Sequence, residues 1–74
     1  MNAHDKDFAR QNEPPAVVSY RDGEFTIVRS GRYVICAVSG QRIALEALRY
    51  WNPTTQEAFA GPAEAMSRWR ELNP

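Results

Sequence analysis

A chain of 74 residues with one cysteine has room for a single small domain and excludes an intramolecular disulfide. Its nine basic and nine acidic residues give a net charge of zero, which argues against a protein that coats nucleic acid. The polar amino-terminal stretch lacks a signal-peptide pattern and no apolar run is long enough to span a bilayer, so we expect a cytoplasmic protein without a membrane segment.

The first part of the chain is predicted to be a disordered tail, residues 1–15. It is polar, carries mixed charge and ends in Pro14-Pro15, which favours an extended backbone. It contains the only histidine, His4, and one large apolar residue after Met1, Phe8. Residues 16–74 are then predicted to form one domain.

Three short runs rich in β-branched and aromatic residues predict strands in the first half of this domain. They span residues 16–20, 24–29 and 33–38. Asp22-Gly23 is the strongest hairpin signal in the chain, and Ser30-Gly31 is a second turn. These features predict a three-stranded antiparallel meander.

The next segment, residues 44–59, fits two structures. Ala44, Ala47, Leu48 and Trp51 have helical spacing, whereas the aromatic residues there also suit a strand. Gly61-Pro62 would end a helix that starts near Thr54 after about two turns, which is short. We therefore favour a second hairpin with strands at residues 47–51 and 56–60.

The last element is a predicted helix that begins at Pro62, a residue suited to the first helical turn. Ala65, Met66, Trp69 and Leu72 share one face, and we expect Trp69 to anchor the helix on the sheet. The predicted fold is thus α+β, a small antiparallel β-meander plus a second β-hairpin packed by one C-terminal helix.

The turn after the third predicted strand has the spacing of a zinc knuckle. Such knuckles read Cys-x-x-Cys-Gly, so that two thiolates bind one ion. Here Ser39 follows Cys36 in place of the second cysteine, and Gly40 follows it. A neutral hydroxyl is a poor zinc ligand, so we expect this site to be vestigial, with no metal and no cofactor.

Three sequence stretches, YVICAVSG, I-x-L-x-x-L-R-Y-W and Q-E-A-F, resemble a family of short uncharacterised alphaproteobacterial proteins. The resemblance covers residues 25–59. The family is a domain of unknown function, so the resemblance implies no activity.

The order of knuckle, hairpin and helix is also similar to that of treble-clef zinc modules of the YHS type. This resemblance implies that the second ligand pair would fall around Ala60 and Ala63 or Glu64, where the hairpin meets the helix. None of these is a cysteine. The resemblance therefore implies a degenerate treble-clef-like domain, in which packing by Trp51, Phe59 and Trp69 replaces the ion.

Catalytic chemistry has little support in the sequence. Cys36 lies within an apolar run and the only histidine lies in the tail, which favours a buried, inert thiol over a nucleophile. The four glycines are isolated turn residues, so there is no phosphate-binding loop. We expect a protein that is not an enzyme.

Arginines are the main candidates for binding. Arg29, Arg32, Arg42 and Arg49 flank the central apolar stretch, which contains one acidic residue, Glu46. With Tyr50 and Trp51 they form a candidate binding surface, because arginine and aromatic side chains dominate interface hot spots. The alternative is that they only solvate strand edges and block edge pairing.

Three functions follow from these candidates. The first, which requires least, is a small non-enzymatic interaction module with an unknown protein partner, acting as a monomer or weak homodimer. The second is an RNA- or ribosome-associated protein that uses the same arginine and aromatic surface. The third is a metal or redox sensor that acts through Cys36.

Overall fold

The computed structural model describes residues 13–74, so the predictions for residues 1–12, including those for His4 and Phe8, lie outside the described residues. The described chain forms three antiparallel strand pairs followed by one helix. The strands are β1 (Val17–Arg21), β2 (Glu24–Arg29), β3 (Tyr33–Ile35), β4 (Arg42–Ala44), β5 (Tyr50–Asn52) and β6 (Glu57–Phe59). A 3₁₀ turn at Leu45–Ala47 precedes β5, and the helix α1 is Pro62–Leu72. The predicted α+β class is confirmed.

The first hairpin joins β1 and β2 through Asp22 and Gly23, as the Asp-Gly signal predicts. Gly23 has a φ of +75°, in the left-handed region that glycine adopts without steric cost. β2 has the predicted bounds, and β1 is shifted by one residue. The pairing register shifts between Val17 and Val18, at the far end of the hairpin.

The pairing of β3 differs from the predicted meander, because β3 pairs with β4 and not with β2. The Tyr33 carbonyl oxygen accepts a hydrogen bond of 2.7 Å from the Ala16 N–H. Gly31 approaches Ala16 so closely that an added Cβ would lie 2.6 Å from the Ala16 Cα. The segment before β1 therefore occupies the place beside β3 that the meander assigns to β2.

The third hairpin, β5–β6, confirms the preference for a hairpin over a helix in residues 44–59. Its turn is closed by the Asn52 side-chain oxygen, which accepts hydrogen bonds from the N–H groups of Thr54 at 2.9 Å and Thr55 at 3.4 Å. Gln56 ends the turn with a φ of +57°. Both strands are shorter than predicted.

One core joins the three hairpins. Its buried side chains are Ala16, Tyr20, Val34, Cys36, Ile43, Leu48 and Ala58, with Val18, Phe25, Leu45 and Trp51 packed against them. Every strand pair contributes to this core, which explains how three separate two-stranded sheets form one domain.

α1 begins at Pro62 as predicted and contacts both β5 and β6. It has no buried residue, and Glu64, Ala65 and Arg68 are half-buried. The prediction that Trp69 anchors the helix is wrong, because this residue is 57% exposed. Every residue from Trp69 to the end of α1 is exposed, so the carboxyl-terminal part of the helix is not covered by the hairpin. Among residues 13–74, no helix is long and apolar enough to cross a membrane.

Candidate functional site

A groove of about 670 Å³ lies beside the second hairpin and is called here the β3–β4 groove. Its walls are formed by Gly31, Arg32, Tyr33, Arg42, Ala44, Leu45 and Glu46. Strand register explains this composition. Val34 and Ile43 are paired and buried, so the flanking positions of β3 and β4, including Tyr33 and Arg42, lie on the opposite face.

Two guanidinium groups give this groove its chemistry. The Arg42 guanidinium lies 4.5 Å from the centroid of the Tyr33 ring, a cation–π contact that holds the charge over the aromatic face. Arg32 forms a 3.5 Å ion pair with Glu13, in which the Arg32 side chain is 65% exposed and the Glu13 side chain 39% exposed. The groove walls contain two arginines and one carboxylate, Glu46, with the Glu13 carboxylate next to Arg32. The groove therefore suits an anionic group next to a flat or apolar one.

A second groove, of about 500 Å³, is called here the β5 groove. It is lined by Arg21, Asp22, Gly23, Arg49, Tyr50, Trp51, Pro53 and Ala65. Arg49 is oriented by its own backbone, because its Nη1 donates to the carbonyl oxygens of Glu46 at 3.1 Å and Leu48 at 3.0 Å. A guanidinium has five N–H donors, so further donors remain for a ligand. This groove again combines two arginines, one carboxylate and aromatic rings.

The six predicted binding residues are divided between these grooves. Arg32 and Arg42 line the β3–β4 groove, whereas Arg49, Tyr50 and Trp51 line the β5 groove. Arg29 lines neither groove, and its Nη2 donates to the Pro15 carbonyl oxygen at 3.2 Å. The two grooves are close in sequence at the 3₁₀ turn, because Glu46 in this turn lines the β3–β4 groove and Arg49, two residues after it, lines the β5 groove.

Sequence reasoning did not single out Arg21 and Tyr33 as binding residues. Arg21 directly precedes the Asp-Gly turn and Tyr33 opens β3, so each reads locally as an ordinary strand residue. The alternation of Tyr33 with the buried Val34 was a usable signal that the Tyr33 ring lies on the face opposite the core, where the structure has it half-buried. No local signal links Arg21 with Arg49, because 28 positions separate them in the printed chain.

Trp51 has a structural role as well as a place in the groove wall. Its ring stacks on Tyr20 with centroids 6.2 Å apart and meets Phe25 edge to face at 5.5 Å. Its indole N–H donates to the Arg21 carbonyl oxygen at 2.8 Å. Because this donor is already used, a ligand in the β5 groove can contact only the exposed part of the ring. Tyr50, which is 43% exposed, offers more accessible aromatic surface.

Cys36 lies in the core with only 2% of its surface exposed. Burial raises the pKa of its thiol, but hydrogen bonds from the Ser39 side chain and from the backbone of Ser39, Ala60 and Val38 outweigh this effect, so the pKa lies below its ordinary value. The Ser39 N–H is 3.4 Å from the sulfur. The Gly40 N–H donates to the Cys36 carbonyl oxygen at 3.0 Å, which closes the turn.

These surroundings do not fit a bound metal ion. Within the described part of the chain, no group of three or more His, Cys, Asp or Glu side chains could hold one. The Ser39 hydroxyl lies 3.2 Å from the Gln41 N–H, from which it accepts a hydrogen bond. The Cys36 sulfur thus accepts from the Ser39 N–H, while the Ser39 hydroxyl is engaged with Gln41.

A family of uncharacterised proteins conserved in bacteria, DUF2093, matches residues 27–68. The matched segment includes all six predicted binding residues and the Cys36 turn, and it excludes Arg21 and Trp69. Comparisons with curated proteins and with solved structures give no match. The resemblance inferred from the YVICAVSG, LRYW and QEAF stretches is confirmed. Since the match covers more than half of the 74 residues, the chain belongs to this family of uncharacterised bacterial proteins.

Proposed function

We propose that the protein is a small non-enzymatic binding module of the bacterial cytoplasm, which recognises an acidic segment of a protein partner. The observation that carries the proposal is the repeated combination, in both grooves, of two arginines with at least one aromatic ring. Arginine forms bidentate hydrogen bonds with carboxylates and stacks on aromatic faces, which makes such clusters effective in recognition. We expect the module to act as a monomer or weak homodimer.

The test is a pulldown in which charge is reversed in each groove separately. Arg42→Glu changes the β3–β4 groove and Arg49→Glu changes the β5 groove. Arg70→Glu is the matched control, because Arg70 is in the last turn of α1 and lines neither groove. Circular dichroism checks that each variant is folded, and each lysate is divided into nuclease-treated and untreated halves.

We expect a protein that is retained after nuclease treatment by the wild type and by Arg70→Glu, and is lost with Arg42→Glu or Arg49→Glu. If every variant retains the same proteins, the arginines only solvate the surface and the proposal fails. If the retained material disappears with nuclease, the RNA-associated alternative replaces it. The sensor alternative has less support, because Cys36 is buried and, among residues 13–74, no group of three or more His, Cys, Asp or Glu side chains could hold a metal ion.

We also propose that the Cys36 turn and the start of α1 form a treble-clef-like frame whose ligands are missing. The support is the backbone link between the two segments: a bridge joins Cys36 to Ala58, and the Ala37 N–H donates to the Ala58 carbonyl oxygen at 2.9 Å. Ala58 lies two residues before Ala60, where the resemblance puts the second ligand pair. The frame then keeps the position of the ligand pairs without the ion.

A triple variant tests this frame. Ser39→Cys, Ala60→Cys and Ala63→Cys together with Cys36 supply a tetrahedral thiolate set, and we expect the variant to bind zinc stoichiometrically and to melt at a higher temperature. The wild type should purify without zinc and keep its Tm in a chelator. A triple variant that binds no zinc contradicts the frame, as does a wild type that loses zinc and unfolds on chelation.

A further inference from the structure

The β5 groove does not end at the hairpin, because Ala65 of α1 forms part of its wall. Trp69 follows Ala65 by four residues and Leu72 by seven, so the three side chains form one stripe along the helix. Trp69 is 57% exposed and Leu72 is 44% exposed. Helical side chains lean towards the helix amino terminus, so we expect the Trp69 ring to lie over the turn that contains Ala65.

The two ends of this extended surface differ in chemistry. At the hairpin end, Arg21 and Arg49 face a single carboxylate, Asp22. Among the ion pairs recorded for residues 13–74, none involves Arg21 or Arg49. At the helix end, Trp69 and Leu72 present an apolar stripe. From Ala65 to Leu72 the helix rises by about 10 Å, which an extended peptide covers with about three residues.

We propose that this surface, Arg21, Arg49, Ala65, Trp69 and Leu72, docks a protein segment that carries acidic residues next to bulky apolar ones. The acidic side chains pair with the two guanidinium groups, and the apolar side chains pack on Trp69 and Leu72. Charge complementarity selects this occupant, because a purely apolar segment would leave the arginines without anionic partners. The inference rests on the proposed function and adds to it the chemistry of the partner and a second contact region.

The apolar half of the surface gives the docking its selectivity. Exposed arginine–carboxylate pairs contribute little binding free energy and weaken with salt. A tryptophan that becomes buried on binding removes a large apolar area from water and is the residue type most often found as a hot spot. We therefore expect the acidic–apolar segment to bind more tightly than a purely acidic one. We also expect its binding to depend less on ionic strength.

Fluorescence anisotropy with synthetic labelled peptides tests the proposal. The probes are a peptide with a run of glutamates next to a run of leucines, a glutamate-only peptide, and a peptide in which glutamines replace the glutamates beside the leucines. The proteins are the wild type, Arg49→Glu, Trp69→Ala and the control Val28→Ala, which truncates a side chain that is 68% exposed on β2. Urea unfolding verifies that all four are folded.

Trp69→Ala should lower the affinity for the acidic–apolar peptide by about tenfold or more and leave the affinity for the glutamate-only peptide unchanged. Arg49→Glu should lower the affinity for both of these peptides, and Val28→Ala should lower neither affinity. If Arg49→Glu weakens binding and Trp69→Ala does not, the inference fails while the proposed function stands. If neither substitution matters, both fail. Sedimentation that reveals a dimer dissociated by Trp69→Ala also overturns the inference, because a second copy then covers the stripe.

Discussion

Trp51 and Trp69 make contrasting contacts. Trp51 packs on Tyr20 and Phe25 and donates its indole N–H to a backbone oxygen, whereas Trp69 is exposed near the carboxyl end of α1. Truncation of Trp51 therefore removes ring contacts and leaves the Arg21 carbonyl oxygen without its donor. Truncation of Trp69 removes a side chain that already contacts water.

Trp51→Ala should lower the free energy of unfolding by about 3 kcal/mol, the lower end of the range for large aromatics in cores. Trp69→Ala should change it by no more than about 0.5 kcal/mol, as is usual for exposed positions. Urea denaturation followed by far-UV circular dichroism measures both without relying on tryptophan fluorescence. A loss of several kcal/mol on Trp69→Ala would restore the prediction that Trp69 anchors the helix.

Gln56 connects two hairpins through its side chain. Its Nε2 donates to the Tyr20 carbonyl oxygen at 2.7 Å, and its Oε1 accepts from the Tyr20 N–H at 2.9 Å. The amide thus satisfies both backbone groups of a β1 residue, as a neighbouring strand would. The same Nε2 is 2.7 Å from the Pro53 carbonyl oxygen, which closes the β5–β6 turn.

Gln56→Ala should destabilise the fold by about 1–3 kcal/mol, because it leaves part-buried backbone groups of β1 without partners. Gln56→Gly removes the same hydrogen bonds but relieves the left-handed backbone at this position, so it should be less destabilising than alanine by about 1 kcal/mol. Gln41→Ala, at an exposed turn position, is the control. Chemical denaturation ranks the variants by their free energy of unfolding. Equal losses of stability for the alanine and glycine variants would mean that the backbone at Gln56 is not strained.

At the scale of elements, α1 is attached by polar contacts as much as by packing. Arg68 Nε lies 3.1 Å from Glu57 Oε1 on β6, and Arg68 Nη1 lies 2.8 Å from Glu71 Oε2 one turn along the helix. The hydrogen bond from Arg68 holds the pKa of Glu57 below its ordinary value. Since α1 has no fully buried residue, this ion pair contributes to holding the helix on the hairpin together with the half-buried Ala65.

The lowered pKa of Glu57 determines how the stability of the fold changes with pH. The pKa of Glu57 is lower in the folded protein than in the unfolded chain, so folding favours the charged carboxylate. The resulting stabilisation is fully present above the pKa of the unfolded carboxyl, about 4.5, and is lost as the pH falls through the lower pKa of the folded protein. We expect Glu57→Gln to lack this part of the acid destabilisation. Unfolding free energies measured from neutral to acid pH test it, with Ser67→Ala on the same helix as the control. An unchanged pH profile in Glu57→Gln would contradict the assignment.

At the scale of the whole molecule, the segment before β1 closes the domain. The Tyr33 hydroxyl donates to the Glu13 carbonyl oxygen at 2.7 Å, and Arg32 pairs with the Glu13 carboxylate at 3.5 Å. The contact between Ala16 and Gly31 follows directly. Residues 13–15, which the sequence assigns to the tail, thus contact β3 and the residue before it.

Two truncations separate this segment from the residues before it. Removal of residues 1–12 should leave the Tm unchanged, because their composition predicts no contribution to the core. Removal of residues 1–15 also deletes the Glu13 and Pro15 contacts and should cost about 1–2 kcal/mol, mostly from the Tyr33 hydrogen bond. Differential scanning calorimetry measures both. Equal stability of the two truncated proteins would mean that Glu13 contributes nothing.

Several features of the fold follow from the sequence, because their signals are local. Asp22-Gly23 specifies a two-residue hairpin turn, and Pro62 specifies the start of α1. The hairpin in residues 44–59 also follows, since Gly61-Pro62 leaves a helix too little length. The arginine and aromatic composition of the proposed binding surface was visible in the sequence as well, but the sequence did not show which of these residues lie together.

Only the tertiary structure decided the long-range features. Either β2 or the segment before β1 could lie beside β3. The close approach of Gly31 to Ala16 shows that the segment before β1 takes this position. The helical spacing predicts that α1 has an apolar face. It does not predict how much of that face other residues cover, so the exposure of Trp69 could not be predicted from the spacing. Arg21 and Arg49 line the same groove only because the hairpins pack together. Periodicity reports the direction of a side chain relative to its own element, whereas burial and neighbours depend on residues that are distant in the chain.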